Sequence, residues 1–337
     1  MSVYRIRQRT CLLLCSCWLL CALLFGACDK VDYGDTKDLE NKLQTTDVGK
    51  DVELRYFQNK PLPKGKCSLR ILCIGNSYTV DAAYYLSSIL RKKGFADSTF
   101  SVYTLTSSGA SLHYWCDVAE SGNRVKLNHW AGSKMSFDEG TLPDLLAQEW
   151  DVITLQQYSG DAIFYSTFHP WIRRLIDFVQ HNCLNPDVTL AWHMAWSYSS
   201  LYGSGMSTYN RWLLISVAVQ EMIMSDGIDV IIPIGTAIQN ARATPLNTTG
   251  DLTCDGIHLD LGVGRYIAAC TFYEALFAPV YEQSVLGDTF AREFTEDETA
   301  GYSYPPLSVR GENRDVCQQC AIAAVEAPFA ITSIGGE

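Results

Sequence analysis

Ser77, Asp255 and His258 are residue types that can together carry out acyl transfer. This chemistry needs a nucleophile, a base that accepts its proton, a group that orients the base, and N–H donors for the developing oxyanion. Ser77 follows the apolar run ILCIG and is predicted to be the nucleophile at the end of a strand. His258 is predicted to be the base, and Asp255, three residues earlier, accepts its Nδ1–H in this hypothesis.

The oxyanion donors are predicted from two further polar clusters. Gly109 lies in SSGAS after the second predicted strand, and Gln156 follows the strand WDVITL. The hypothesis assigns the backbone N–H groups of Ser77 and Gly109 and the side-chain amide of Gln156, with Gln157 as the alternative amide. Flanking residues predicted to contact substrate are Asn76, Tyr78, Gln157 and Ser159. We predict no metal and no organic cofactor.

Each cluster also has a purely structural interpretation. A serine between a strand and a helix is more often an N-cap, and a sequence such as DGIH is more often a turn before a helix. A glycine or a glutamine pair after a strand is ordinary loop composition. The catalytic interpretation is favoured because all four clusters occur in order, each at the predicted end of a strand.

The elements that must position these residues alternate along the chain. Strands are predicted over residues 71–74, 98–106, 150–156, 187–194 and 228–235. Helices are predicted over residues 81–94, 142–149, 169–182, 207–227 and 261–277. The segments around His113 and His129 are predicted to be irregular. This pattern predicts an α/β fold, a three-layer α/β/α sandwich with a parallel sheet of about five strands, whose carboxyl ends carry the chemistry.

The amino terminus has the composition of an export signal. Residues 1–27 contain three arginines followed by the apolar run CLLLCSCWLLCALLF, and small residues precede Cys28. We predict a lipoprotein signal peptide with Cys28 as the lipidated residue; an ordinary secretory cleavage site is the alternative. The expected location is extracytoplasmic, with the chain held at a bacterial membrane by lipid alone.

Composition divides the remainder of the chain. Residues 28–65 are acidic and are predicted to be a disordered tether, residues 66–280 form the catalytic domain, and residues 281–337 form an extension with a linker and a terminal helix at 316–332, followed by an edge strand. The net charge of −11 argues against binding to nucleic acid. Cys317 and Cys320 have CxxC spacing and are interpreted as an incidental or locally disulfide-bonded pair.

These blocks together resemble the SGNH (GDSL-like) hydrolases. Gly75-Asn76-Ser77 is similar to the first block of that family, Gly109 to the second, and Asp255-Gly256-Ile257-His258 to the last. The third block departs from the usual Gly-x-Asn-Asp, because LQQYSG stands there. The resemblance covers residues 69–278 and implies a flavodoxin-like SGNH fold and a poorly characterised branch of exported lipoproteins.

The resulting hypothesis is a serine esterase that removes an ester group, with O-acetyl as the predicted group, from an extracytoplasmic carbohydrate. Tryptophans and tyrosines in HYWCDVAESGNRVKLNHW and AWHMAWSYSSLYG suit sugar rings, although core packing explains them equally well. Two alternatives remain open at this point. One is a non-catalytic glycan-binding lipoprotein, and the other is an esterase or thioesterase that acts on lipid or another small ester.

Overall fold

The computed structural model describes Lys37 and residues 62–63, 65–131, 134–203, 205–300 and 302–335. The predicted signal peptide and the predicted lipidation at Cys28 lie outside these residues, as does most of the predicted tether. The sheet and the helices that surround it belong to the unit Glu40–Glu337. Within the described residues, no helix combines the length and the apolar character needed to cross a bilayer.

A seven-stranded mixed sheet forms the centre of this unit, in the order β4-β3-β2-β1-β5-β6-β7. Its strands are β1 Leu69–Gly75, β2 Phe100–Thr106, β3 Arg124–Ala131, β4 Lys134–Thr141, β5 Val152–Leu155, β6 Thr189–His193 and β7 Val230–Ile232. The five predicted strands are confirmed as a parallel set, β2-β1-β5-β6-β7. Strand β1 is a nearly continuous apolar run, because helices flank the sheet and bury it.

The two antiparallel strands β3 and β4 correct the prediction of an irregular segment. Strand β3 pairs with β2, and β4 pairs with β3. The ring of His129 stacks on Tyr103 at 4.3 Å, and the indole N–H of Trp130 donates to Thr104 Oγ1 at 3.0 Å. His129 therefore takes part in cross-strand packing on the side of the sheet where β3 and β4 are added to the parallel strands.

Helices connect and cover the strands. They are α1 Ser77–Ala83, α2 Leu86–Lys92, α3 Leu112–Ser121, α4 Leu142–Leu146, α5 Trp171–Asn182, α6 Thr208–Asp226, α7 Ile234–Arg242, α8 Val263–Leu276, α9 Ala278–Tyr281, α10 Glu296–Thr299 and α11 Gly311–Glu326. The helix predicted over 81–94 is two shorter helices, and α3 and α7 were not predicted. Helix α8 packs against α1, α2, α7 and α11.

The terminal helix α11 is part of the packing around α7 and α8. Cys317 and Cys320 are buried free thiols, so the disulfide interpretation does not apply. The side chain of Asn240 on α7 donates to the backbone carbonyl of Cys320 at 3.4 Å. The predicted edge strand is not formed, since residues 327–335 contain no strand.

Candidate active site

Ser77, His258 and Asp255 form a continuous hydrogen-bonded chain at the carboxyl end of β1. The distance from Ser77 Oγ to His258 Nε2 is 2.9 Å, and from His258 Nδ1 to Asp255 Oδ2 it is 2.6 Å. With Nδ1–H donated to the carboxylate, Nε2 is the nitrogen that can accept the serine proton. Ser77 is half-buried, and 32% of the His258 side chain and 49% of the Asp255 side chain are exposed, so the three groups face solvent.

Asn76 caps helix α1, which leaves the hydroxyl of Ser77 free. The side-chain oxygen of Asn76 accepts from the N–H of Tyr78 at 3.0 Å, and its Nδ2 donates to the carbonyl of Ala110 at 3.0 Å. Ser77 is the first residue of the helix, so its own N–H has no intrahelical acceptor. The strand-to-helix turn thus exposes both the hydroxyl and the N–H of Ser77.

Asp81 on α1 holds the loop that carries His258. Its Oδ2 accepts from the N–H of Leu259 at 2.9 Å, and its Oδ1 lies 2.7 Å from Nη2 of Arg265. Burial raises the pKa of Asp81 to about 6, against the opposing effects of Arg265 and the Leu259 N–H. Through these two contacts the carboxyl group connects the nucleophile helix to the base loop.

Trp196 provides a second anchor for the same loop. Its indole N–H donates to the carbonyl of Ile257 at 2.8 Å, and its ring stacks on Tyr78 at 3.7 Å with an interplanar angle of 4°. Such an aromatic pair contributes about 0.5–1.5 kcal/mol beyond its area burial. The N–H of Ser199 also donates to the carbonyl of Gly256 at 2.8 Å. These contacts limit the movement of His258 relative to Ser77.

Asp255 is held in its ionised form by the loop. Burial acts to raise its pKa, but hydrogen bonds from the ring of His258 and from the N–H groups of His258 and Ile257 outweigh burial and lower the pKa below its ordinary value. The two N–H groups donate to Oδ1, at 2.7 and 2.9 Å. Oδ2 is therefore free to accept from the imidazole.

Gln156 lies behind the nucleophile turn, where Gly75 leaves room for it. Its Oε1 accepts from the hydroxyl of Thr79 and, at 3.5 Å, from the N–H of Asn76. Its Nε2 is buried and donates to none of the described acceptors. A Cβ on Gly75 would collide with Thr79 Oγ1 and Gln156 Oε1. The absent side chain at Gly75 thus permits this arrangement.

Gly75→Ala should therefore destabilise the fold and disturb the nucleophile turn. We expect the free energy of unfolding to fall by about 1–3 kcal/mol, because the new methyl group overpacks a buried site. Urea denaturation measures this change. Gly160→Ala is the control, since its Cβ meets the half-exposed Tyr158 ring, which can rotate away; its effect should stay near 0.5 kcal/mol. Equal effects in the two variants would contradict the argument.

The other predicted site residues occupy different environments. Gln157 is engaged by the backbone: its Oε1 accepts from the N–H of Leu112 at 3.0 Å, and its Nε2 donates to the carbonyl of Thr167 at 3.0 Å. Gly109 is exposed in a turn with φ +64°. The predicted substrate contacts Asn76, Tyr78, Gln157 and Ser159 are each at most 5% exposed. Their contact with substrate stays a prediction, and Gln156 is the amide that keeps an unpaired N–H.

Sequence reasoning missed the residues that support the site. Asp81 and Arg265 fall in predicted helices without an assigned role, and Trp196 lies in the aromatic segment AWHMAWSYSSLYG that the sequence associates with sugar binding or core packing. In the sequence, the only indication of the ion pair between Asp81 and Arg265 is a charged residue on the inner face of each helix. His193 ends strand β6, and burial lowers its pKa to about 3, so it is neutral.

The family described as "Domain of unknown function (DUF4886)" matches residues 70–301. No curated protein matches the sequence. The fold is similar to a DUF4886 family protein from Bacteroides uniformis ATCC 8492, with 25% identity and a TM-score of 0.67 over 79% of this chain and 98% of that chain.

Some solved structures of lower identity are described as hydrolases. A provisionally assigned SGNH hydrolase from Slackia heliotrinireducens is 16% identical, with a TM-score of 0.41 over 62% of this chain and 98% of that chain. Axe2, an acetylxylan esterase from Geobacillus stearothermophilus, is 11% identical, with a TM-score of 0.44 over 63% of this chain and 94% of that chain. SGNH hydrolases are thus among the matches, the group that the sequence motifs resemble.

Proposed function

This chain belongs to the DUF4886 family, and we propose that it is a serine ester hydrolase that acts through Ser77, His258 and Asp255. The observation that carries the proposal is the chain of two hydrogen bonds, 2.9 and 2.6 Å long, that joins the Ser77 hydroxyl through the imidazole to the Asp255 carboxylate. Such a chain activates a serine for nucleophilic attack. The partial exposure of all three groups supports access by a substrate.

The proposed reaction has two steps. Ser77 Oγ attacks the ester carbonyl while His258 Nε2 accepts its proton, and Asp255 stabilises the imidazolium. His258 then returns the proton to the leaving alcohol, which leaves an acyl group on Ser77. Water, deprotonated by His258, attacks this acyl-enzyme and releases the carboxylic acid. The products are one alcohol and one acid for each ester and water consumed.

Three N–H groups are proposed to stabilise the oxyanion. The first is the N–H of Ser77, which lies at the start of α1. The second is the N–H of Gly109, which donates to no backbone carbonyl among the described residues. The third is Nε2 of Gln156, whose orientation is set by the two donors to its Oε1. Donors that are fixed before the reaction stabilise the transition state without reorganisation.

Gln156→Glu tests the third donor. The substitution keeps Oε1 for Thr79 but replaces the N–H donor with an oxygen, so we expect kcat to fall by about 10²–10³-fold. Steady-state hydrolysis of 4-nitrophenyl acetate measures the effect. Gln148→Glu, at the opposite end of β5, is the matched control. A folded Gln156→Glu protein with the kcat of the original would restrict the oxyanion donors to the two backbone N–H groups.

The proposed substrate is an ester on an extracytoplasmic carbohydrate, with O-acetyl as the group removed. Support for a sugar comes from exposed tyrosines beside the site, since Tyr158 is 37% and Tyr202 47% exposed. The proposed extracytoplasmic location depends on residues 1–28, which contain the predicted signal peptide and the predicted lipidated cysteine.

Covalent labelling tests the enzymatic proposal directly. A fluorophosphonate probe reacts with activated serines, so the peptide that contains Ser77 should carry the adduct after digestion and mass spectrometry. The same protein unfolded in urea is the control and should not react. Release of acetate from acetylated xylan or pectin tests the substrate class. Absence of both labelling and hydrolysis would favour a non-catalytic binding protein.

A further inference from the structure

Arg211 is a buried cation beside the candidate active site. It lies in the first turns of α6 and is 6% exposed. Its Nη2 donates to the carbonyl of Ser159 at 2.7 Å, and its guanidinium carbon lies 3.7 Å from the centroid of the Tyr198 ring. Its Nε has no acceptor among the described residues.

The charge of Arg211 is not neutralised within the described part of the chain. By comparison, two other arginines with little exposure are paired with carboxylates: Arg242 lies 3.0 Å from Asp251, and Arg265 lies 2.7 Å from Asp81. No described carboxylate forms an ion pair with Arg211. A buried charge without a partner is costly to a fold, and an apolar side chain of similar size is often as stable or more stable at such a position. Within the described residues, Arg211 therefore has the Ser159 carbonyl and the Tyr198 ring as partners, but no carboxylate partner and no acceptor for its Nε.

The position of this charge connects it to the nucleophile. Ser159 is the third residue after Gln156, and its Oγ lies 3.2 Å from the hydroxyl of Tyr198. Burial raises the pKa of Tyr78, the residue after Ser77, and the positive charge of Arg211 acts against that rise. Burial also raises the pKa of Tyr158, again opposed by Arg211. The geometry thus connects the guanidinium, through the Ser159 carbonyl and the Tyr198 ring, to the segment that begins at Gln156.

Two exposed rings border the same region. Tyr158 lies next to Gly109, its ring 3.8 Å from the place where a Cβ on that glycine would stand. The backbone of Tyr202 packs against Gly256, within the loop that carries Asp255 and His258. The ring of Tyr202 meets that of Tyr198 edge-on at 4.8 Å, and Tyr198 is also the ring that the guanidinium of Arg211 contacts.

We propose that Tyr158, Tyr198, Tyr202 and Arg211 form a subsite that binds a carboxylate-bearing part of the ester substrate. This deepens the proposed function and rests on it. The exposed rings pack against a flat or sugar ring, and Arg211 attracts the carboxylate. The chain has a net charge of −11, so a local positive charge is needed for it to select an acidic ester. An O-acetylated uronic acid has this chemistry on its alcohol side.

The first test compares acidic esters with neutral amides of the same shape. 4-Acetoxybenzoate and 4-acetoxybenzamide differ only in a carboxylate or an amide on the alcohol side of the ester. The 4-nitrophenyl esters of adipic acid and of its monoamide carry the same difference on the acyl side. We expect kcat/KM to favour the acid over the amide by about ten- to hundredfold in one of these pairs, because charged hydrogen bonds discriminate by about that factor. The pair that shows the preference identifies the side of the ester that enters the subsite.

Arg211→Met should abolish the preference and bring the acid-to-amide ratio near one. Arg211→Lys keeps the charge and should retain part of the preference, which a purely structural role would not predict. Arg174→Met is the matched control, because Arg174 lies over Trp171 at 5.3 Å but is exposed and paired with Glu120. The control should keep the original ratio. A ratio near one in the unsubstituted protein, or a preference retained in Arg211→Met, would overturn the subsite.

Failure of the proposed esterase function can be distinguished from failure of the proposed subsite. If no ester is hydrolysed, the subsite is tested by calorimetry with 4-acetoxybenzoate and 4-acetoxybenzamide as ligands. Stronger binding of the acid, lost in Arg211→Met, would support the subsite without catalysis. Equal binding of the two ligands would overturn it. If Arg211→Met does not fold, the acid-to-amide ratio in the unsubstituted protein and in Arg211→Lys decides the question.

Discussion

Ser77→Ala will lower kcat for ester hydrolysis by about 10⁵–10⁶-fold, the scale on which loss of a catalytic serine acts in hydrolases of this type. The variant removes the nucleophile but leaves the cap of α1 in place, because Asn76 supplies the side chain that accepts from Tyr78 N–H. The free energy of unfolding should therefore change by no more than about 0.5 kcal/mol. Steady-state hydrolysis of 4-nitrophenyl acetate measures kcat, and urea denaturation measures stability.

The control for this experiment is Ser88→Ala on α2, which removes a hydroxyl from the helix that follows α1. It should preserve both activity and stability. A Ser77→Ala protein that hydrolyses esters at more than a hundredth of the original rate would contradict the assignment of the nucleophile. A large loss of stability without a specific loss of kcat would return Ser77 to a structural role.

Asp255→Asn will lower kcat by about 10⁴-fold. The asparagine can keep its Oδ1 as acceptor for the N–H groups of Ile257 and His258. Its Nδ2 then takes the place of Oδ2 and donates to His258 Nδ1. This favours the tautomer with the proton on Nε2, which cannot accept a proton from Ser77. Measurement of kcat, together with the ¹H–¹⁵N signals of the ring, tests both parts of the argument.

The pH dependence of stability tests the same assignment. Since the hydrogen bonds of the loop lower the pKa of Asp255, its carboxylate stays ionised through the neutral and mildly acidic range. Its contribution to stability is present above the pKa of the unfolded chain and is lost as the pH falls through the lower folded value. Asp255→Asn removes this contribution, so the variant should be less sensitive to strong acid. For the activity measurement, a kcat of Asp255→Asn within tenfold of the original value would exclude Asp255 as the orienting group.

Most of the parallel strands could be predicted because they are largely apolar, whereas β2 shows an alternation of apolar and polar residues. Strand β1 shows this best, since the run Ile71–Ile74 is buried on both faces and has no competing pattern. Strands β3 and β4 were missed because charged and polar residues such as those of RVKLNHWA and KMSFDEGT interrupt the apolar positions. Antiparallel strands at the edge of a sheet need only one buried face, so their signal is weaker.

The choice between Gln156 and Gln157 required the tertiary structure. Both are amides in one polar cluster, and the sequence favours Gln156 only because it is the first residue past the predicted strand. Gln157 is engaged by backbone groups at residues 112 and 167, while Gln156 meets Thr79 across the space left by Gly75. These partners lie between 10 and 77 residues away along the chain, so local patterns do not reveal them.

The sequence alone determined which residue types stand at the carboxyl ends of the strands, and in what order. That was enough to select Ser77, Asp255 and His258, because parallel strands bring their ends to one edge of a sheet. Only the tertiary structure decided how these residues meet: the 2.9 Å contact between Ser77 and His258 joins positions 181 residues apart. Asp81 and Trp196 fix that contact through packing and hydrogen bonds, which depend on distance in space and are independent of distance along the chain.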